Sequence, residues 1–132
     1  MKNTLKVTKY ILAMLKADEN LKEYISADKF YPIDAKLSST FPFAVMQRTG
    51  IVPASTKDGI FQESVDYTII IVDDNYAGSI DIAEAVRQTL DRHSYKTDEI
   101  CISRITLTGS TETYYNDSYI QQLDFKIEFN NV

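Results

Sequence analysis

Two apolar, strand-like segments separated by a turn-rich interval are the feature that most constrains the fold of this chain. The first covers residues 41–48, and the second covers residues 65–72 and leads directly into Asp73 and a helical pattern. In the second segment alternate residues are apolar until Ile70 and Val72 make both faces apolar. These patterns predict a β-hairpin whose second strand becomes covered on both faces and then continues into a helix.

A second hairpin is predicted near the end of the chain, where the final segment has the most regular alternation in the sequence. The apolar residues on one face of this strand are Tyr119, Leu123, Phe125, Ile127 and Phe129. The strand before it covers residues 100–108, and its predicted inward face consists of Cys101, Ser103, Ile105 and Leu107. Asn116 and Asp117 mark the turn between the two strands, next to Tyr114 and Tyr115.

Two amphipathic helices are predicted, one near the start of the chain and one after the first hairpin. The apolar residues at helical spacing in the first helix, which Thr4 can cap, are Val7, Ile11, Met14 and Leu15. The apolar stripe of the second helix consists of Ile80, Ala83, Val86 and Leu90. The polar run from Asp73 to Asn75 offers an N-cap to this second helix.

The segment order predicts a single domain, residues 1–132, of the α+β class. Residues 30–32 are expected to form a short edge strand, because Pro32 lacks the backbone donor that a central strand needs. We therefore predict an antiparallel four-stranded sheet of two hairpins, with the two main helices packed on one face and a short N-terminal edge strand beside it.

Charge and composition argue against several classes of function. The 132 residues include 19 acidic and 14 basic side chains, a net charge of −5 that disfavours sequence-specific nucleic-acid binding. A single cysteine excludes an internal disulfide. No apolar run approaches the roughly 18 residues of a membrane helix, and no signal peptide is recognisable. The protein is therefore expected to be soluble and cytoplasmic when it is made, and to have no membrane partner.

No assembled catalytic or metal-binding constellation is recognisable. His93, the only histidine, is expected at the polar end of the second helix, and Cys101 lies in an apolar alternation without a partner base. Asp73 and Asp74 lack the spacing of a calcium-binding loop, and helix capping explains them better. We therefore predict no catalytic residue, no cofactor and no metal ligand, with a small enzyme or ligand-binding domain as the alternative.

The loops of the two hairpins are the candidate interaction sites. The candidate interface residues are Ile51, Val52, Lys57, Asp58, Tyr114 and Tyr115. Apolar and aromatic side chains on exposed loops provide a large contact area at low cost in conformational entropy. The alternative is that the tyrosines fold back onto the sheet, and the sequence favours neither arrangement.

The order and spacing of these segments resemble the tail-completion, or tail-terminator, proteins of long-tailed bacteriophages. The resemblance is carried by residues 5–15 of the first helix, by residues 30–32 and 41–48, by the strand-to-helix junction at residues 73–76, and by residues 82–87. It extends over nearly the whole chain.

This resemblance implies a structural virion protein and not an enzyme. Members of the family form a ring, expected here to contain six subunits, that caps the finished tail tube and joins the tail to the head. The implied partners are further copies of the chain, the tail tube protein and the head-tail connector protein. Assembly is expected in the cytoplasm of a bacterial host, before the ring becomes part of the virion tail. A neck or head-closure protein on the portal side is the alternative.

Overall fold

A six-stranded mixed β-sheet carries the fold, and two α-helices pack on one of its faces. The computed structural model describes residues 3–35, 40–53 and 62–130. The strands are β1 (Phe30–Pro32), β2 (Phe43–Val52), β3 (Gln62–Asp73), β4 (Tyr95–Lys96), β5 (Cys101–Tyr115) and β6 (Ser118–Asn130). The helices are α1 (Val7–Ala17) and α2 (Tyr76–Leu90), and three short 3-10 turns are Thr4–Lys6, Leu21–Glu23 and Ala27–Lys29. The spatial order of the strands is β1-β2-β3-β6-β5-β4.

The predicted four-stranded antiparallel sheet is wrong in both strand number and strand direction. β1 pairs with β2 in parallel, with Phe30 opposite Ala44, so the sheet is mixed. A further short strand, β4, pairs with β5 through Tyr95 and Lys96. Because β4 is only two residues long, it shows no alternation of apolar and polar side chains. The direction in which β1 pairs depends on how the chain returns to the sheet. Neither feature has a local pattern in the sequence.

Alternating side chains of β3 and β6 form the centre of the core. The inward face predicted for β6 is confirmed for its four apolar residues, whose exposed fractions are at most 5%: Leu123, Phe125, Ile127 and Phe129. Three of their partners on β3 are also buried, among them Tyr67 directly opposite Phe125, whereas Glu63, opposite Phe129, is half-buried. Tyr119, at the far end of the same face, is only half-buried.

The inward face predicted for β5 is wrong at its start, because the strand contains two bulges. The pairing of β5 with β6 shifts between Ile102 and Arg104 and again between Leu107 and Gly109. Each extra residue reverses the face on which the following side chains lie. Ile102 is therefore buried, whereas Cys101 lies opposite the exposed Asn130 and is only half-buried.

Helices α1 and α2 bury their apolar stripes against the same face of the sheet. The buried residues of α1 are Val7, Tyr10, Ile11 and Leu15. In α2 the predicted stripe is confirmed at Ala83, Val86 and Leu90, while Ile80 is half-buried. Asn75 is the N-cap of α2, and its side-chain oxygen accepts a hydrogen bond of 2.9 Å from the Gly78 backbone N–H.

Asp18 links the end of α1 to the end of α2. Its Oδ2 accepts a hydrogen bond of 2.6 Å from the Thr89 hydroxyl, and its Oδ1 accepts one of 3.0 Å from the Leu21 backbone N–H. These hydrogen bonds, the one from Thr89 first, lower the pKa of the Asp18 carboxyl group. The carboxylate thus links the ends of the two helices and accepts a hydrogen bond from the first residue of the 3-10 turn that follows α1.

Replacement of Phe125 by alanine should cost about 3 to 5 kcal/mol of unfolding free energy, because a fully buried aromatic ring is lost from the central strand. The matched control is Lys126→Ala, one position along β6 on the exposed side. Urea denaturation followed by circular dichroism measures both changes. Equal losses for the two variants would contradict the assignment of the buried face.

The contribution of Asp18 to stability should depend on pH. Since the folded-state pKa lies below the unfolded value, the stabilisation is present above about pH 4 and is lost as the pH falls through the lowered folded-state pKa. Asp18→Ala should therefore cost about 1 kcal/mol at pH 7, and its difference from wild type should shrink in acid. Urea titrations at neutral and acidic pH test this, and a difference that stays constant with pH would refute it.

Candidate functional site

The candidate interface residues that the structure describes lie at opposite ends of the sheet. Val52 pairs with Ser64 near the start of β3, whereas Tyr114 pairs with Tyr119, which pairs with Asp73 at the end of β3. Ser64 and Asp73 are nine positions apart, which at about 3.3 Å per residue separates the two ends by roughly 30 Å. The two candidate sites are therefore separate surfaces.

The four candidate interface residues that the structure describes are exposed. The exposed fractions are 37% for Ile51, 56% for Val52, 58% for Tyr114 and 71% for Tyr115. Lys57 and Asp58 lie outside the described residues. Tyr115 extends into solvent and does not fold back, while the Tyr114 ring lies against Tyr119 with 4.9 Å between ring centroids.

Three tyrosine rings, which we call the tyrosine cluster, gather at the tip of the β5–β6 hairpin. The cluster consists of Tyr114 from β5, Tyr119 from β6 and Tyr76 from the first turn of α2. Tyr76 meets Tyr119 edge to face, with ring centroids 5.4 Å apart. Together with Glu112, Thr113 and Gln121, the rings line a pocket of about 220 Å³.

Glu112 places a carboxylate in this pocket. The Tyr76 hydroxyl donates to its two oxygens at 3.0 and 3.3 Å, and Gln121 Nε2 donates at 3.2 Å. Gln121 Nε2 is also 3.3 Å from Ser79 Oγ, which ties the pocket to α2. The hydrogen bond and the charge of Glu112 raise the pKa of Tyr76. Within the described residues, Glu112 forms no ion pair with a cationic side chain.

Sequence reasoning identified Tyr114 but missed Tyr76, Tyr119 and Glu112 as parts of one site. The alternation of side chains on β5 and β6 could have placed Glu112 and Tyr114 on the same face, since they are two positions apart. Tyr76 could not have been found in this way, because its approach depends on how α2 packs on the sheet.

The sheet face opposite the helices carries a second feature, which we call the outer apolar patch. It consists of half-buried residues and the exposed Phe41, and its members are Tyr31, Phe41, Phe43, Val45, Ile70, Val72 and Ile120. Phe41 and Phe43 stack with ring centroids 5.8 Å apart. The prediction that the end of β3 is covered on both faces is wrong, because Ile70 and Val72 keep partial exposure on this side.

The residues considered for chemistry are dispersed. His93 is exposed just after α2, with Nδ1 2.9 Å from the Asp91 backbone oxygen. Asp73 is buried, and this burial, followed by its hydrogen bond with Asp74, raises its pKa. In the part of the chain that the structure describes, no three His, Cys, Asp or Glu side chains are grouped to hold a metal ion. None of the helices there is long and apolar enough to cross a membrane.

Comparison with known protein families decides the class of the protein. Residues 9–129 match the model of the family described as tail completion protein gp17. The chain belongs to this tail completion protein family. The resemblance found in the sequence is thereby confirmed, and the protein is a structural component of a phage-type virion and not an enzyme.

The fold of this tail completion protein also occurs in a solved virion structure. A chain of the structure described as "Virion of native gene transfer agent (GTA) particle" superposes with a TM-score of 0.76, over 92% of each chain, at 16% sequence identity. At this identity the likeness shows the shared fold. In all, 28 chains of solved structures match, whereas no curated protein sequence matches significantly. A role among other virion proteins follows from the family.

Cys101 should label more slowly with a thiol reagent than a cysteine at an exposed position, because it is half-buried on β5. The comparison is Tyr115→Cys in a Cys101→Ser background, which puts the thiol at the exposed hairpin tip. Both thiols should react at similar rates in concentrated urea. Faster native labelling of Cys101 than of the cysteine at 115 would contradict a structural role for this residue.

Proposed function

We propose that the protein caps the end of the tail tube as a closed ring of copies, six by analogy with the family, and joins the tail to the head connector. Membership in the tail completion family supports the class of this role. The observation that carries the ring is the state of the two sheet edges. Each edge is covered along one part, and along the rest it has no neighbouring strand among the described residues.

On the β2 side, the short parallel strand β1 covers only the segment from Ala44 to Met46. The Ile33 backbone N–H extends this cover with a hydrogen bond of 2.8 Å to the Met46 oxygen. Among the described residues, no strand pairs with residues 47–52 on that side. We call this segment the open edge of β2.

On the β5 side, β4 pairs only with Cys101 and Ile102. Backbone hydrogen bonds to Ile105 from the turn after α2, and the Asp91 carboxylate at the Leu107 N–H, cover the next part of the strand. In the described chain, residues 108–115 have no strand beside them on this side. This segment is the open edge of β5, and it contains neither proline nor lysine.

Open strand edges with unpaired backbone groups are templates for pairing with another chain. Because the two open edges belong to different strands on opposite sides of one sheet, joining them between copies makes a heterologous interface. A heterologous interface closes into a ring when its rotation divides a full turn. The net charge of −5 is compatible with DNA passing through such a ring, since an acidic lining does not retain phosphates.

The two exposed ends of the sheet give each subunit separate surfaces for different neighbours. A ring between tube and connector has two faces, and the ends near Val52 and Tyr115 lie roughly 30 Å apart along β3. This separation lets one subunit contact the tube and the connector at the same time. Assembly on tails would take place in the host cytoplasm, before the ring enters the virion.

Replacing both Tyr114 and Tyr115 by serine should impair tail joining without unfolding the protein, because both side chains are exposed at the hairpin tip. The matched control is Tyr24→Ser, an exposed tyrosine outside the β5–β6 hairpin. Melting temperatures should stay close to wild type for both variants. Electron microscopy of tails assembled with each variant should show overgrown or unjoined tails for the double variant only.

The ring itself is tested by light scattering across a range of concentrations and by microscopy of the protein mixed with tail tubes. The proposal expects rings in solution or on tube ends. A protein that remains monomeric and forms no ring on any tube would overturn the proposal. Binding to the portal side, with tube ends left bare, would assign the protein to head closure.

A further inference from the structure

The pocket at the hairpin tip combines a carboxylate with several aromatic faces. Glu112 lies beside the tyrosine cluster, and the rings of Tyr114 and Tyr119 approach to 4.9 Å between centroids. The face of a tyrosine ring carries a negative electrostatic potential, as does a carboxylate. Both kinds of group therefore favour a positively charged ligand in the same small volume.

Hydrogen bonds hold the carboxylate in place without neutralising it. The Tyr76 hydroxyl and Gln121 Nε2 donate to Glu112, and both donors are uncharged. A carboxylate has about four lone-pair positions, so two donors leave acceptor capacity on its oxygens. No cationic side chain among the described residues forms an ion pair with Glu112. The Glu112 carboxylate is thus held in a fixed position, and its negative charge remains available to a ligand from outside the chain.

We infer that this pocket binds the guanidinium group of an arginine side chain from a partner protein. The inference rests on the proposed function only for the source of that side chain, which would be a protein at the tail joint. A guanidinium is planar and weakly hydrated, stacks on aromatic faces and pairs with a carboxylate through two parallel hydrogen bonds. A lysine ammonium is a more strongly hydrated point charge and cannot stack on the tyrosine rings as a planar guanidinium does.

The dimensions of the site agree with a single side chain and not with a larger ligand. A volume of about 220 Å³ is smaller than the roughly 300 to 1,000 Å³ of typical small-molecule sites. The pocket also lies at an exposed tip, where Tyr114 keeps 58% and Tyr76 keeps 47% of their surface accessible. A side chain presented by a docked protein can reach it directly.

The probe for this inference is Nα-acetyl-L-arginine amide, titrated into the full chain labelled with ¹⁵N. Saturable chemical-shift changes should be confined to the pocket, at residues 76, 112–114, 119 and 121, with a dissociation constant in the millimolar range. The corresponding lysine amide should bind more weakly, and the neutral citrulline amide should not saturate. Equal binding of the citrulline and arginine amides, or no saturation with the arginine amide, would overturn the inference.

Two variants and one control connect the binding to its residues. Glu112→Gln removes the charge but keeps the shape, and should weaken arginine binding about fivefold. Tyr119→Leu removes the central ring and should weaken it to a similar extent through loss of the cation–π contact. Asp98→Asn, which removes a charge at the opposite end of β5, should leave binding unchanged. Equal weakening by Asp98→Asn would show a general charge effect and refute a specific pocket.

The same variants separate this inference from the proposed function. If the arginine amide fails to bind while wild-type protein still forms rings on tails, the pocket inference is wrong and the capping role stands. If the amide binds but no ring forms on any tube, the pocket is real and the capping role is wrong. Glu112→Gln protein that binds tails less tightly than Asp98→Asn protein would support both.

Discussion

The antiparallel pairing of β3 with β6 is the interaction on which the rest of the structure depends. It runs without interruption from Gln62 opposite Asn130 to Asp73 opposite Tyr119. These partners are far apart in sequence, so pairing them costs loop-closure entropy that local hydrogen bonds do not recover. Burial of the apolar side chains along this seam, with Tyr67 opposite Phe125 at its centre, offsets the cost. Without this seam the two hairpins would have no common sheet.

The same seam explains where the proposed interaction surfaces lie. Joining the hairpins through β3 and β6 leaves β2 and β5 towards the outside, where the short strands β1 and β4 are their only other neighbours among the described residues. Long strands beside short ones necessarily have open segments, and an assembly protein can use such segments for pairing between copies. The open edges are thus a consequence of unequal strand lengths, since β5 spans fifteen residues and β4 spans two.

The tip of the β5–β6 hairpin differs in character from the edges, because it presents side chains and not backbone groups. Helix α2 reaches the tip only with its first turn, which supplies Tyr76, so Glu112 and the tyrosine cluster remain accessible there. Backbone pairing gives little sequence discrimination, whereas a carboxylate framed by aromatic rings selects for charge and shape. Residues 112–114 belong to both features, since they lie on the open edge of β5 and also line the pocket.

The sequence by itself determined the features that depend on local periodicity. The inward residues of β6, the cap of α2 at Asn75 and the apolar stripe of α1, apart from the half-buried Met14, all follow from spacing within a few turns or residues. The family resemblance followed from the order of these segments. The exposure of Tyr115 next to the turn of the second hairpin was also predictable from the sequence, and its role in an interface stays a prediction.

Only the tertiary structure decided the parallel pairing of β1, the existence of β4, the bulges of β5 and the gathering of Tyr76 with Glu112. Each depends on which distant segments meet and in which register, and alternation on one strand carries no information about its partner. A single bulge was enough to turn Cys101 away from the core and bury Ile102 in its place. Long-range packing sets the register, and the register sets which side chains share a surface.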